Sequence, residues 1–202
     1  MKDNKLNIPI FPLNGAILFP GSNLPLNIFE NRYLKMVDYA MQNDRKIGMI
    51  QEIESSKKLY NVGCVGKITS FSETQDNRYI INLNGLCRFK KIEEIATTKL
   101  FRILRIVQND ESVFNNNVNY DKELLFKKFK YFLQSQNQEV NFSGLNEIGL
   151  EELVKTMAMA CPFNASEKQM LLESKSIFNL AENMTKLFDF YKEEYHQKST
   201  LN

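Results

Sequence analysis

Residues Ile8–Tyr33 read IPIFPLNGAILFPGSNLPLNIFENRY. Three short apolar runs, Ile8–Leu13, Ala16–Phe19 and Leu24–Phe29, are interrupted by Pro and Gly at close intervals. Pro9, Pro12 and Pro25 forbid a helix interior, and proline suits a sheet edge better than its centre. The first and third runs therefore read as extended strands at edges. Gly21 directly after Pro20 is a turn signal. Glu30-x-Arg32-Tyr33 then opens a helical pattern over Glu30–Gln42, with Tyr33, Leu34, Val37, Ala40 and Met41 on one face.

The rest of the first half continues in strands: Lys46–Gln51, Val62–Ser72, Arg78–Leu83, Leu86–Ile95 and Leu100–Val107. Thr74–Asn77 reads as a polar hairpin loop. Asn84-Gly85 reads as a second, two-residue hairpin of type I′, since both residue types tolerate positive φ. A run of hairpins with one early helix predicts a pseudo-barrel or sandwich.

Asn109–Asn119 (NDESVFNNNVN) is polar and Asn-rich and reads as a linker. Beyond it the apolar period changes from about 2 to about 3.6 residues. Helices are expected over Tyr120–Gln136, Glu147–Ala160, from Ala165 to about Glu173, and over Ser176–Tyr195. Pro162 stops the second, and Asn164-x-x-Glu167 is a capping box for the third. The chain is thus expected to be α+β, with a β-rich domain at 1–118 and a helical bundle at 119–202.

At 202 residues and 43% hydrophobic content the chain can bury a substantial core. Net charge is only +2, too small to mark a nucleic-acid binder by itself. The three cysteines, Cys64, Cys87 and Cys161, are far apart, and His196 is the sole histidine. That set offers no zinc site and no Cys–His or Ser–His–Asp machinery. Reduced thiols, no signal-peptide core and no apolar run near the ~20 residues needed to span a bilayer lead to the expectation of a cytoplasmic protein. No cofactor, metal or catalytic residue is assigned, and no membrane partner is expected.

The opening stretch resembles the start of the N-terminal domain of the ATP-dependent protease Lon, in its Phe19-Pro20-Gly21 and its Glu30-x-Arg32-Tyr33. The similarity continues through VGKITSFSETQDNRYIINLNGLCRFKKI (Val65–Ile92). There a strand, a polar hairpin and a second strand lead to Gly85, with Arg88 three residues on. It extends to the helix, Pro162 break, Lys168-Gln169 and Leu172-Glu173 of the later part. The resemblance implies a PUA-like pseudo-barrel followed by a helical bundle, of the kind that helps Lon recognise substrates and that also occurs alone in bacteria. The Lon ATPase motif G-x-x-x-x-G-K-[ST] does not occur in this sequence, and the Ser–Lys protease dyad belongs to a domain outside this resemblance.

A polypeptide-binding groove is expected to be lined by Phe11, Leu13, Phe19 and Phe29 from the β region and by Met157, Met159 and Phe163 from the helices. Met-rich surfaces adapt to varied partners. Phe19-Pro20-Gly21 either rims such a groove or forms a tight turn whose Phe plugs the barrel. Glu30, Arg32 and Tyr33 either present a charged pair or simply start a helix. Arg88, Lys90, Lys99, Arg102 and Arg105 make the β region basic, and PUA-like folds include RNA binders. The leading expectation is non-catalytic recognition of polypeptide clients or of protease and chaperone components; the second is RNA binding. The sequence leaves oligomeric state open.

Overall fold

The computed structural model describes residues 5–109, 120–136 and 147–200, with side chains described as far as residue 193. Most of the expected linker and the side chain of His196 fall outside the described residues. Six strands and five helices follow in order: β1 (Lys5–Pro12), β2 (Asn23–Ile28), α1 (Asn31–Met41), β3 (Lys46–Ile50), β4 (Val62–Glu73), β5 (Tyr79–Ile95), β6 (Ile103–Gln108), α2 (Lys122–Ser135), α3 (Leu150–Ala160), α4 (Ala165–Leu172) and α5 (Ile177–Thr200). The expected mixed α+β architecture is present.

The strands run β2-β5-β4-β3-β1-β6, and β6 pairs back onto β5. The ring β5-β4-β3-β1-β6 is therefore closed, and β2 is an added strand on the first half of β5. Only β1 and β3 pair in parallel. Inward residues of several strands, among them Ile8, Ile10, Val65, Phe89, Leu104 and Ile106, fill the interior. This is the alternation expected of strands with one buried face.

One expectation fails. Asn84-Gly85 is not a hairpin, and Arg78–Leu83 and Leu86–Ile95 are parts of a single 17-residue strand. Asn84 pairs with Lys67 on one side and Asn23 on the other. Glycine is needed at 85 for a tertiary reason. A Cβ there would lie 2.0 Å from the backbone oxygen of Phe19, so the strand takes a residue without one. The hairpin at Thr74–Arg78 does form, with Thr74 N–H donating to Arg78 O at 2.9 Å and Asn77 at φ 59°.

The chain forms two compact units, one of Met1–Val113 with Cys161–Glu173, the other of Phe114–Ala160 with Ser174–Asn202. This differs from a single cut near residue 118, because α4 returns to the β unit. α4 carries the expected capping box, with Asn164 Oδ1 accepting from Glu167 N–H and Glu167 Oε2 accepting from Asn164 N–H. Its buried residues include the polar Lys168 and Gln169 besides Ala165, Leu171 and Leu172. In the second unit α2 packs on α5 through Phe129, Phe132, Phe188 and Tyr191, with ring centroids 5.2–5.7 Å apart. Lys128 pairs with Asp189 at 2.6 Å across the same two helices.

Candidate functional site

The residues that carry the sequence resemblance come together as pieces of scaffold. Ser22 N–H donates to Phe19 O at 3.1 Å, with Pro20 and Gly21 between them and Gly21 at φ +80°. That is a type II turn, with proline fixing its first corner and glycine supplying the positive φ of its second. The turn is held to β5: Gly21 N–H donates to Gly85 O at 2.8 Å, and Gly85 N–H donates to Ser22 O at 2.9 Å. Phe19 is only 1% exposed, so of the two readings of this motif the tight turn with a buried Phe is the observed one.

Glu30-x-Arg32-Tyr33 starts α1. Arg32 Nε donates to Glu30 Oε2 at 2.9 Å, and the guanidinium lies 4.5 Å from the centre of the Tyr33 ring. Tyr33 packs edge-on against Phe11 at 4.5 Å. Burial above all pushes the Tyr33 phenol above its ordinary pKa. Arg88 Nη1 donates to Leu172 O at 3.2 Å, which satisfies a carbonyl in the last turn of α4.

A second anchor of α4 was not singled out from the sequence. Gln51, 1% exposed, ends the apolar run of β3. Its Nε2 donates to Ala165 O at 2.9 Å and to Gln169 Oε1 at 3.1 Å, and its Oε1 accepts from Gly15 N–H at 3.0 Å. Gln169 Nε2 in turn donates to Val62 O at 3.1 Å and to Glu173 Oε1 at 2.6 Å. Gln169 of the Lys168-Gln169 pair of the resemblance is thus a docking element. The signal for Gln51 is one uncharged polar residue directly after four buried or half-buried apolar ones.

The residues expected to share a groove wall do not share one environment. Phe11, Phe19, Met157 and Phe163 are buried, and Leu13 and Met159 are half-buried. Phe29 alone is exposed, at 64%. Phe29 and Phe71 are two exposed aromatic rings of the β unit, its candidate rim. The Arg78 guanidinium stands 5.8 Å from the Phe29 ring centre, and Arg78 is itself held by Asp76 at 2.7 Å. The Thr74 hydroxyl, bonded to Asp76, is the main cause that keeps that carboxyl below its ordinary pKa. The neighbouring Tyr79 donates its hydroxyl to Asp38 of α1 at 3.0 Å and packs edge-on against Phe71 at 4.9 Å. Phe71 is 41% exposed.

Directly opposed residues of paired strands share a face. Leu24, Leu26 and Ile28 of β2 lie opposite Leu83, Ile81 and Tyr79 of β5, and Phe71 lies opposite Ile81. This is the apolar face, and Phe71 is its exposed aromatic ring. On the other face Asn82 and Asn84 both donate to Asn23 Oδ1, and exposed Ile80 lies opposite Asn27. Leu24 and Leu26 are only half-buried, whereas Asn23, Pro25 and Asn27 are exposed.

Arg102, Arg105 and Lys99 of the basic β set are engaged at home. Arg102 contacts Glu94 through two bonds of 2.8 Å and Glu52 at 3.0 Å, and Arg105 pairs with Glu93 at 2.5 Å. Lys99 stands over Tyr39 at 4.8 Å. Cys161 is buried, and burial pushes its thiol up to about 12, far from the thiolate a nucleophile needs. Among the described residues no group of three His, Cys, Asp or Glu side chains could hold a metal ion. Among them, too, no helix is long and apolar enough to cross a membrane.

A mixed pseudo-barrel with the Phe19–Ser22 turn fastened to β5 and α4 docked on it through Gln51 and Gln169 defines the class of fold. The family model described as the ATP-dependent protease La (LON) substrate-binding domain matches residues 7–189, and the chain belongs to that family. It is similar to a Lon N-terminal domain protein from Xanthomonas campestris, with a TM-score of 0.66 and 17% identity over 89% of this chain and 96% of that one. It is likewise similar to the N-terminal domain of Mycobacterium avium complex Lon protease, with a TM-score of 0.63 and 12% identity over 91% and 98%. Among curated proteins, the Lon protease of Buchnera aphidicola subsp. Schizaphis graminum is 22% identical over 91% of this chain and 24% of its own length. Lon protease 2 of Sorangium cellulosum is 32% identical over 42% of this chain and 11% of its own. The chain spans about a quarter of the length of the full-span relatives it matches.

Proposed function

We propose that this chain captures polypeptide through the apolar rim of its β unit and does no chemistry on what it binds. Its clients are extended or unfolded segments, or components of proteolytic and chaperone machinery. The observation that carries this reading is the exposure of two aromatic rings of the β unit, Phe29 at 64% and Phe71 at 41%. Exposed aromatic rings of this size are available to an apolar partner. The family description, substrate-binding, supports the same reading. RNA binding has less support, because Arg102 and Arg105 already spend their charge on Glu94, Glu52 and Glu93.

The test is fluorescence anisotropy with a labelled, permanently unfolded carboxymethylated protein. Phe29→Asp and Phe71→Asp should each weaken binding at least about tenfold, the cost of one lost apolar anchor, with an unchanged urea midpoint. Binding should change little with salt. Unchanged binding in both variants, or the steep loss with salt that marks phosphate contacts, would overturn the reading.

A further inference from the structure

β2 is the terminal strand in the sheet order, and its pairing phase is fixed by one bond. Gly85 N–H donates to Ser22 O, so on β5 the backbone of residue 85 turns toward β2, and by alternation so do those of Leu83, Ile81 and Tyr79. Along an antiparallel ladder hydrogen-bonded pairs alternate with non-bonded ones. With Asn23 opposite Asn84 and Ile28 opposite Tyr79, the backbone groups of 24, 26 and 28 turn toward β5. Those of Asn23, Pro25 and Asn27 turn outward, where no described strand meets them. Proline has no N–H to offer, so this outer edge presents three carbonyls but only two donors.

We propose that this edge takes up an extended client segment as an additional strand, a specific mode that rests on the polypeptide-binding reading above. Unpaired strand edges recruit extended chain through backbone bonds, and alternate side chains then set specificity. β2 is six residues long, about 20 Å of strand. Residues of the client opposite Leu24, Leu26 and Ile28 fall on the apolar face that continues to Phe71. Those opposite Asn23 and Pro25 fall on the face of Asn84 and Asn82, which is polar there and ends at exposed Ile80 opposite Asn27. The preferred client is therefore a segment of about six residues with apolar side chains at i, i+2 and i+4 and polar ones between. Pro25 removes one donor from the middle of the edge, which holds affinity down and protects the edge against indiscriminate pairing.

The experiment uses the full chain and a fluorescein-labelled peptide of three Val-Thr repeats with charged ends, prepared as a set in which each backbone N–H in turn is methylated. Strand addition gives an effect of period two: methylation at residues that turn toward β2 weakens binding more than about tenfold, and at the intervening ones it does not. Pro25→Ala restores an outward N–H and should tighten binding about fivefold, the worth of one added hydrogen bond. A urea midpoint close to that of the parent would show the fold intact. If methylation has no periodic effect while Phe29→Asp still abolishes capture of the unfolded protein, strand addition is wrong and the rim reading survives. If the peptide does not bind but the unfolded protein does, the same conclusion holds. If neither binds, both readings fail together.

Discussion

Gln51→Leu removes the amide that joins the barrel to α4 and keeps the side chain's approximate volume. In the parent, the amide donates to Ala165 O and Gln169 Oε1 and accepts from Gly15 N–H. Gly15 is exposed, so its N–H recovers a water partner. Ala165 and Gln169 are buried, and their acceptors lose this donor with no water to replace it. Two such losses cost about 2–3 kcal/mol, since a buried group left without its partner loses ~1–3 kcal/mol. Urea unfolding measures this as a lower midpoint at unchanged slope. Gln51→Glu should cost more than the Leu variant, because it loses both donations and also brings an ionisable group to a site that is 1% exposed. A local readout is available in Cys161, which lies 1% exposed just before α4. In a Cys87→Ser background its labelling by a thiol reagent should accelerate more than tenfold in Gln51→Leu. A loss below about 0.5 kcal/mol, the range of ordinary surface changes, would refute the argument that this amide holds α4 in place.

Other outcomes follow from the same contacts. Gly85→Ala should cost at least ~3 kcal/mol or prevent folding, because its Cβ meets Phe19 O at 2.0 Å. Gly21→Ala, at φ +80° with nothing within 4 Å, should cost only about 1–2 kcal/mol; comparing the two by urea unfolding separates collision from backbone strain. Hydrogen bonding from Arg102 holds the Glu94 carboxyl below its ordinary pKa. Its contribution is therefore complete above the unfolded carboxylate pKa and is lost as pH falls through the lower folded value. Arg102→Met should flatten the acid limb of the stability–pH curve below about pH 4.5, and at neutral pH it should cost no more than ~1 kcal/mol, as the pair is part-exposed. In the folded parent, Cys161 with its thiol near 12 should label at pH 8 at least about a hundredfold more slowly than a free cysteine, since the thiolate is the reactive form; labelling at the free rate would show that the thiol is not buried.

Much of the scaffold can be read locally. Pro25 signals an edge strand because a missing donor is tolerated only there. The Thr74–Arg78 hairpin and the Asn164/Glu167 capping box are short-range chemistry and form as their sequences indicate. Gly85 misleads for the opposite reason. Asn-Gly is a strong local turn signal, but the glycine answers to Phe19, far away in sequence, and a continuous strand results. α4 is similar. Its helix is legible, but its membership of the β unit depends on Gln169 meeting Gln51, and no periodicity announces a buried amide pair. For the candidate rim, the sequence gathers the large apolar residues without dividing core from surface. Phe19 and Phe29 sit in comparable apolar runs, and only the turn at Pro20-Gly21 and the end of β2 send one inward and the other out.

The return of residues 161–173 to the first unit also governs how this protein can be born and divided. Translation is vectorial, and at ~5–20 residues per second the 60 residues from 113 to 173 take about 3–12 s to appear. During that interval the barrel strands exist without α4, and the Gln51 amide donates to water in its place. Severing the chain near residue 118 would make this transient state permanent. A fragment of the first 118 residues is a closed barrel without its docked helix, and its natural complement in trans is the short peptide 161–173.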